Sequence, residues 1–338
     1  MPILLDGGPD GYRSFAAAES LRGKRRPEFH EGDANCIDLG LVNNMPDSAL
    51  ETTERQVLKL IDAAAGDILV RLRLYSLPNV PRSDLGLQHI ANHHYFGSDD
   101  LLDGHLDALI VTGAEPRVPD LVQEPYWQTL TQILDWAERS TLSTIWSCLA
   151  VHAAVLHFDG IARRALSNKC CGIFAFEQVS NHPMLSGAPA LFQTPHSRWN
   201  EVEEDALISC GYTILTRSKQ AGVDTFLRQR KSLFMFFQGH PEYEPGTLLG
   251  EYRRDIGRFL RKEKDIYPKV PHNYFDSEAE KILHDFQERA LVDRRQELLA
   301  SFPYGPLAAN LSHVWRETAI QVYRNWLGYI STQKSLKV

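Results

Sequence analysis

Only five cysteines occur in 338 residues (Cys36, Cys148, Cys170, Cys171 and Cys210), an odd set without zinc-ligand spacing. That excludes a disulfide framework and a cysteine-built zinc fold, and free thiols point to a reducing compartment, so a cytoplasmic location is expected. Basic charge is scarce as well: 36 Lys and Arg against 43 Asp and Glu leave a net charge of −7. A broad phosphate-binding face needs clustered cations, so no nucleic-acid partner is expected. Three short basic runs, at residues 24–26, 228–231 and 261–264, read as solvated surface. No run approaches the ~18 apolar residues of a membrane span. The opening MPILLDGGPDGYRSF lacks the basic leader and apolar stretch of a secretory signal, so no membrane partner is expected either. A chain with 43% hydrophobic and 23% charged residues, 18 Pro and 22 Gly has the composition of ordinary globular proteins, not of disordered, collagenous or coiled-coil ones.

What is present is an alternation of two periodicities. Residues 1–36 read as a polar, irregular N-terminal arm with at most a short helix around residues 14–22. From Cys36, CIDLGLVNNMP reads as a buried strand breaking at Asn-Asn-Met-Pro, and DSALETTERQVLKLIDAAA carries Leu50, Val57, Leu58 and Ile61 at helical spacing, with Asp47 or Ser48 as its cap. DILVRLRLYS and DALIVTGAEP read as strands separated by a loop with His89, His93 and His94. Without a matching carboxylate or cysteine pattern that trio reads as exposed loop histidines, and no metal is expected. YWQTLTQILDWAERS is amphipathic at i, i+3, i+4 and i+7, and LSTIWSCLAVHAAVLHF changes from strand to helix at Cys148. CCGIFAFEQV, YTILTRS, TFLRQR and SLFMFFQG read as further strands, and a helix follows near Pro245. Strand and helix in alternation predict a flavodoxin-like, doubly wound, mainly parallel sheet over residues 37–265. Residues 266–338 form an extension, extended through PKVPHNYF and then helical at about 277–300 and 310–331, that packs back on the main domain.

A cysteine at a strand-to-helix turn sits where helix N–H groups stabilise first a thiolate and then an oxyanion. Cys148 has that placement, between the compact Ser147 and Ala150. Alone, such a cysteine is more often a packed core residue. The segment FFQGHPEYEP changes the balance, because a strand delivers His240 with Glu242 two residues on. In extended backbone, side chains at i and i+2 lie on one side, which offers the nucleophile a base and the base an orienting carboxylate. The other four cysteines read as packing residues.

These residues resemble the homoserine O-acyltransferases, which carry succinyl or acetyl from coenzyme A and have a class I glutamine-amidotransferase-like fold. The resemblance runs over about 37–275 and returns at 310–330. It rests on DLGLVNNMP with TERQ, ALIVTGAEP with EPYW, STIWSCLAVHAAVLH, TPHSR, GHPEY, VPHNYF and NWLGY, in that order. It implies a thioester on Cys148, His240 as base and acid, and Glu242 orienting His240. It also implies an oxyanion hole at Gly113, Ala114 and Leu149, and Arg254 holding the amino-acid carboxylate by its bidentate fork, the other reading of Arg254 being a helix-surface ion pair with Asp255 or Glu251. Ser197 and Arg198 are expected to line the substrate pocket, with Arg117 at the position that chooses the acyl donor. A coenzyme A thioester is the implied co-substrate, and the partners are small molecules, with a homodimer possible from the apolar tail.

The sequence departs from the family in several places, among them Ser147 to Leu149, which replace an Ile-Cys-Trp context around the cysteine. No lysine follows Asn-Met-Pro, Arg117 stands where glycine or glutamate is expected, His152 replaces a glutamine, and the tail carries about 30 extra residues. Homoserine and serine differ by one methylene, worth only about 1–3 kcal/mol in a pocket. O-acylation of serine therefore stays open beside homoserine, as do an amidotransferase-like hydrolase and a non-catalytic relative.

Overall fold

Short runs of Val, Ile, Leu and Phe suit a pleated, half-buried surface, and here they form strands joined by amphipathic helices. The computed structural model describes residues 3–6, 12–14 and 36–337. The helix expected around 14–22, apart from Ser14, and the basic run 24–26 lie outside the described residues. In chain order the elements are β1 (Ile3–Asp6), β2 (Tyr12–Ser14), β3 (Cys36–Val42), α1 (Asp47–Ala65), β4 (Leu69–Tyr75), α2 (Asp84–Asn92), α3 (Ser98–Asp103) and β5 (Ala108–Val111). Next come α4 (Trp127–Ser140), β6 (Ser143–Ser147), α5 (Leu149–Asp159), β7 (Arg164–Gln178), β8 (Leu191–Glu201), α6 (Glu204–Ser209), β9 (Thr213–Ile214), β10 (Thr216–Ser218) and β11 (Gly222–Val223). The chain ends with β12 (Thr225–Gln229), β13 (Leu233–Phe237), α7 (Thr247–Leu260), α8 (Ser277–Val292), α9 (Tyr304–Ala308) and α10 (Arg316–Ser335).

The central sheet runs β2-β1-β4-β3-β5-β6-β13-β12-β9. Its middle strands pair in parallel from β1 to β13, and antiparallel strands close both edges. Alternate residues of β6 and β13 go to opposite faces. Ile145, Met235 and Phe237 pack with Leu58 and Ile61 of α1 and Trp326 of α10, whereas Trp146, Phe234 and Phe236 pack with Ile133 of α4 and Val151 of α5. Both faces are covered, as a doubly wound sheet requires. This is the flavodoxin-like architecture anticipated from the alternation of elements.

YTILTRS, expected as one strand, is divided. β9 pairs with β12 in the main sheet, and β10 pairs with β7 in a second sheet of order β11-β10-β7-β8. The extended segment before α8 lies against β7, where His272 bridges Gly172 and Ile173 N–H donates to the His272 carbonyl over 2.8 Å. A side chain at Gly172, with its φ of 139°, would meet the His272 backbone at 2.3 Å, so only glycine lets this strand approach. Tail helix α8 ends at Val292 instead of near 300, and α10 starts at Arg316 instead of near 310. Its Tyr323 stacks on Phe237 at 6.0 Å between ring centres.

Two further expectations are corrected. The arm over 1–36 is not irregular at its start, since Ile3–Asp6 pairs in parallel with β4 and covers its otherwise open edge. Neither Asp47 nor Ser48 caps α1, whose N-cap is Pro46 with no side-chain cap. The Asp47 carboxylate is taken instead by the Ser83 amide at 2.6 Å and by Arg82 at 3.2 Å. No helix among the described residues is long and apolar enough to cross a membrane.

Candidate active site

β6 lies between β5 and β13 at the middle of the sheet, so the residue after it emerges at the carboxyl ends of the strands, where such sheets place ligands. That residue is Cys148. Its amide donates to the Phe237 carbonyl over 2.8 Å, and its backbone turns at φ 53°, ψ −113°, so that α5 starts at Leu149 directly behind the thiol. A non-glycine residue held at positive φ is strained. The turn leaves the sulfur half-buried at the N-terminus of an 11-residue helix, where the helix dipole favours negative charge. From β5, Gly113 approaches so closely that a Cβ there would meet the Leu149 amide nitrogen at 2.9 Å. Gly113, Ala114 and Leu149 all line the cleft that holds Cys148.

β13 delivers the imidazole. Beyond it, Gly239 N–H donates to the buried Asp224 carboxylate over 2.7 Å, and His240 N–H donates to the Pro195 carbonyl over 2.9 Å. The His240 ring stacks on Tyr243 at 4.2 Å, and its Nδ1 lies 2.8 Å from Glu242 Oε1. Burial disfavours its charged form, yet the Glu242 carboxylate and the hydrogen-bonded Cys148 sulfur outweigh burial and hold the imidazolium well above the ordinary histidine range. His152, also buried in the cleft wall, has no carboxylate. Desolvation pushes it down to about 3, and it stays neutral 3.4 Å from Gln238. A thiol, an imidazole and an orienting carboxylate in line make an arrangement for nucleophilic attack with proton transfer.

The opposite wall is ionic. Glu251 accepts from the Ser197 hydroxyl and from Tyr243 Oη at 2.6 Å. Burial opposes its charge, but Lys169 and Arg254 keep its pKa below the usual carboxylate value. Arg254 Nε is buried without a hydrogen-bond partner, with Asp255 no nearer than 3.7 Å. Such an orphaned donor at a cleft wall is unusual. The cleft is about 170 Å³ and shares Met45, Tyr243, Glu251 and Arg254 with a cavity of about 450 Å³ between α1 and α7.

Thus the fold brings together Cys148, His240, Glu242, Ser197 and Arg254, with Gly113, Ala114 and Leu149 beside them. Arg198 borders the cleft, but its guanidinium is spent on the Asn200 and Ala221 carbonyls at 2.9 and 2.5 Å, which makes it a strut of β8 and not a free ligand. Arg117 is exposed and does not line the cleft. Glu124 accepts from the amides of residues 117 and 118 at 2.5 and 3.0 Å and fixes the turn with that side chain outward. Lys169, by contrast, was not singled out from the sequence. From β7 it enters the cleft, 2.7 Å from Asp255 and 3.7 Å from Glu251, so the wall has a lysine although none follows Met45–Pro46. The sequence carries one faint signal of it, for no other lysine occurs between Lys59 and Lys219.

Comparison with known proteins agrees in extent. The sequence model of a family described as homoserine O-succinyltransferase matches residues 18–336. A homoserine O-succinyltransferase of Rhodopseudomonas palustris is 46% identical over 328 residues, covering 97% of this chain and 98% of its own. One from Methylorubrum extorquens is 47% identical over 300 residues, covering 89% of each, and one from Bradyrhizobium japonicum is 45% identical over 333 residues, covering 98% and 99%. Among solved structures, a glutamine amidotransferase of Methylobacillus flagellatus aligns over 87% of this chain and 95% of its own, at 12% identity and a TM-score of 0.47.

Proposed function

The chain belongs to the homoserine O-succinyltransferase family, and on that footing we propose that it moves a succinyl group from succinyl-coenzyme A to the hydroxyl of L-homoserine through a thioester on Cys148. The observation that carries this reading is the alignment of Cys148, His240 and Glu242 at the strained turn before α5. The Cys148 thiolate attacks the thioester carbonyl, and the oxyanion is met by the Leu149 amide and the Gly113–Ala114 turn. On collapse, coenzyme A leaves as a thiolate and takes the proton of the His240 imidazolium. The neutral ring then removes the proton of the homoserine hydroxyl as its oxygen attacks the acyl-enzyme. The ester departs, and the Cys148 thiolate and His240 imidazolium are restored.

Arg254 and Lys169 supply the cations for this acceptor. The unpartnered Nε of Arg254 suits the amino-acid carboxylate, and the adjacent Glu251 suits the ammonium group, which keeps the hydroxyl turned toward Cys148. The test is free-thiol release from succinyl-CoA and acetyl-CoA, each with L-homoserine and L-serine, with Cys148→Ala as control. Thiol release that needs succinyl-CoA and homoserine together and vanishes in Cys148→Ala is the expected result. Release that persists in Cys148→Ala, or none in any combination, overturns it.

A further inference from the structure

The sequence holds three histidines close together, His89, His93 and His94, but nothing near them in the chain to complete a metal site. The fold supplies the missing group from α1. Glu54, with a side chain only 8% exposed, lies with Oε2 2.9 Å from His89 Nε2 and Oε1 3.0 Å from His93 Nδ1. His89 is in the last turn of α2 and His93 is its C-cap, four residues apart and therefore on one helix face. Their rings stack at 4.0 Å with 22° between planes, and each ring sets one nitrogen against one oxygen of the same carboxylate. All three ligand atoms lie within 4.8 Å of one another. His94, at φ 52°, turns the chain away after them.

From this convergence we infer that Glu54, His89 and His93 form a binding site for a borderline divalent ion of the zinc class, outside the acyl-transfer cleft. Two imidazoles and one carboxylate, with no thiolate, suit a first-row ion of that kind and not calcium or magnesium, which take oxygen ligands. At zinc–ligand bonds of about 2.0–2.1 Å, tetrahedral ligand atoms stand roughly 3.3 Å apart, so the two observed contacts open by a few tenths of an ångström to admit the ion. The outer shell is in place. Tyr95 Oη donates to Glu54 Oε2 over 3.0 Å and accepts from Asn43 Nδ2 over 3.2 Å, the support that ligating carboxylates usually have. His93 is 43% exposed, which gives an ion its way in from solvent and leaves a coordination position for water.

The ion ties α2 to α1, beside a residue that shapes the cleft floor. Asn43, which donates to Tyr95, also accepts from the Met45 amide at 3.3 Å, and Met45 lines the cleft. The site is therefore structural, holding residues 84–95 against the helix that follows the floor.

The test uses the full-length Cys148→Ala protein, so that the cleft thiol cannot compete, and titrates zinc by calorimetry with a parallel thermal-unfolding series. One zinc per chain with micromolar or tighter affinity is expected, with a higher Tm when zinc is bound. His93→Gln, a change at a half-exposed helix cap that leaves the fold intact, weakens binding by more than about tenfold and removes the Tm rise. His89→Gln does the same. No zinc uptake at about 100 µM, or uptake that is equal in both histidine variants and their parent, overturns the inference.

Discussion

The two ends of β6, a strand of five residues, obey opposite rules. At its amino end Ser143 is fully buried, donates to the Leu233 carbonyl over 2.8 Å and accepts from Trp326 Nε1 at 2.8 Å, so each polar group there is satisfied. At its carboxyl end the Ser147 hydroxyl is buried with no partner, and the next residue, Cys148, is held at φ 53°. Nearby, His152 Nδ1 and Arg254 Nε are also buried without a hydrogen-bond partner. One end contributes stability; the other stores strain and unmet hydrogen bonds, as sites that must receive a ligand do. A variant should therefore damage either activity or stability, according to the end it touches.

The largest expected effect is on activity. Glu242→Gln removes the carboxylate that holds His240 protonated and oriented, and kcat/KM should fall by about 10²–10⁴-fold. The pH profile gives the sharper reading. The folded His240 pKa lies above the unfolded value of about 6.5, so the imidazolium proposed to protonate departing coenzyme A is lost only above that pH. Taking Glu242 away lowers the ring's pKa, and the alkaline limb of kcat/KM moves to lower pH. Stability follows the same sign: the Glu242 pair stabilises the fold fully below about pH 6.5, and that contribution fades as pH rises through the folded value. An alkaline limb that stays in place in Glu242→Gln would separate this carboxylate from the base.

At the other end, Trp326→Ala empties the space over Ser143 and should cost about 3–5 kcal/mol, read from urea unfolding at constant m. The rate per folded molecule should not change. A fall in kcat with stability intact would erase the distinction between the two ends.

These ends were not equally legible in the sequence. Cys148, His240 and Glu242 could be read because their relation is local: a strand-to-helix change marks the first, and i, i+2 spacing in extended chain joins the others. Helices and strands of the sheet were legible for the same reason, since period and length mark them. What escaped is set by contacts between distant segments. Lys169 reaches Glu251 and Asp255 only because β7 passes α7, and Glu54 meets His89 and His93 only because α2 folds onto α1. Arg117 departs from expectation for a like reason: a guanidinium suits a substrate carboxylate, but the turn whose amides Glu124 captures sends this one outward, whereas Arg198 lines the cleft as expected with its guanidinium held by the Asn200 and Ala221 carbonyls.

The smallest expected effect tests the strain itself. A backbone at φ 53°, ψ −113° is costly for any residue with a Cβ, by about 1–3 kcal/mol, and nearly free for glycine, whose looser unfolded chain gives back about 0.5–1 kcal/mol. Cys148→Gly should therefore be inactive yet about 1 kcal/mol more stable than the parent. Cys148→Ala, which keeps the Cβ, should be inactive without that gain. Comparing the two isolates the backbone from the lost sulfur, because both lack the thiol and differ only in the atom that makes the turn strained. Equal urea midpoints for the glycine and alanine proteins would mean that the turn before α5 costs the fold nothing, and that the two ends of β6 differ in hydrogen bonding alone.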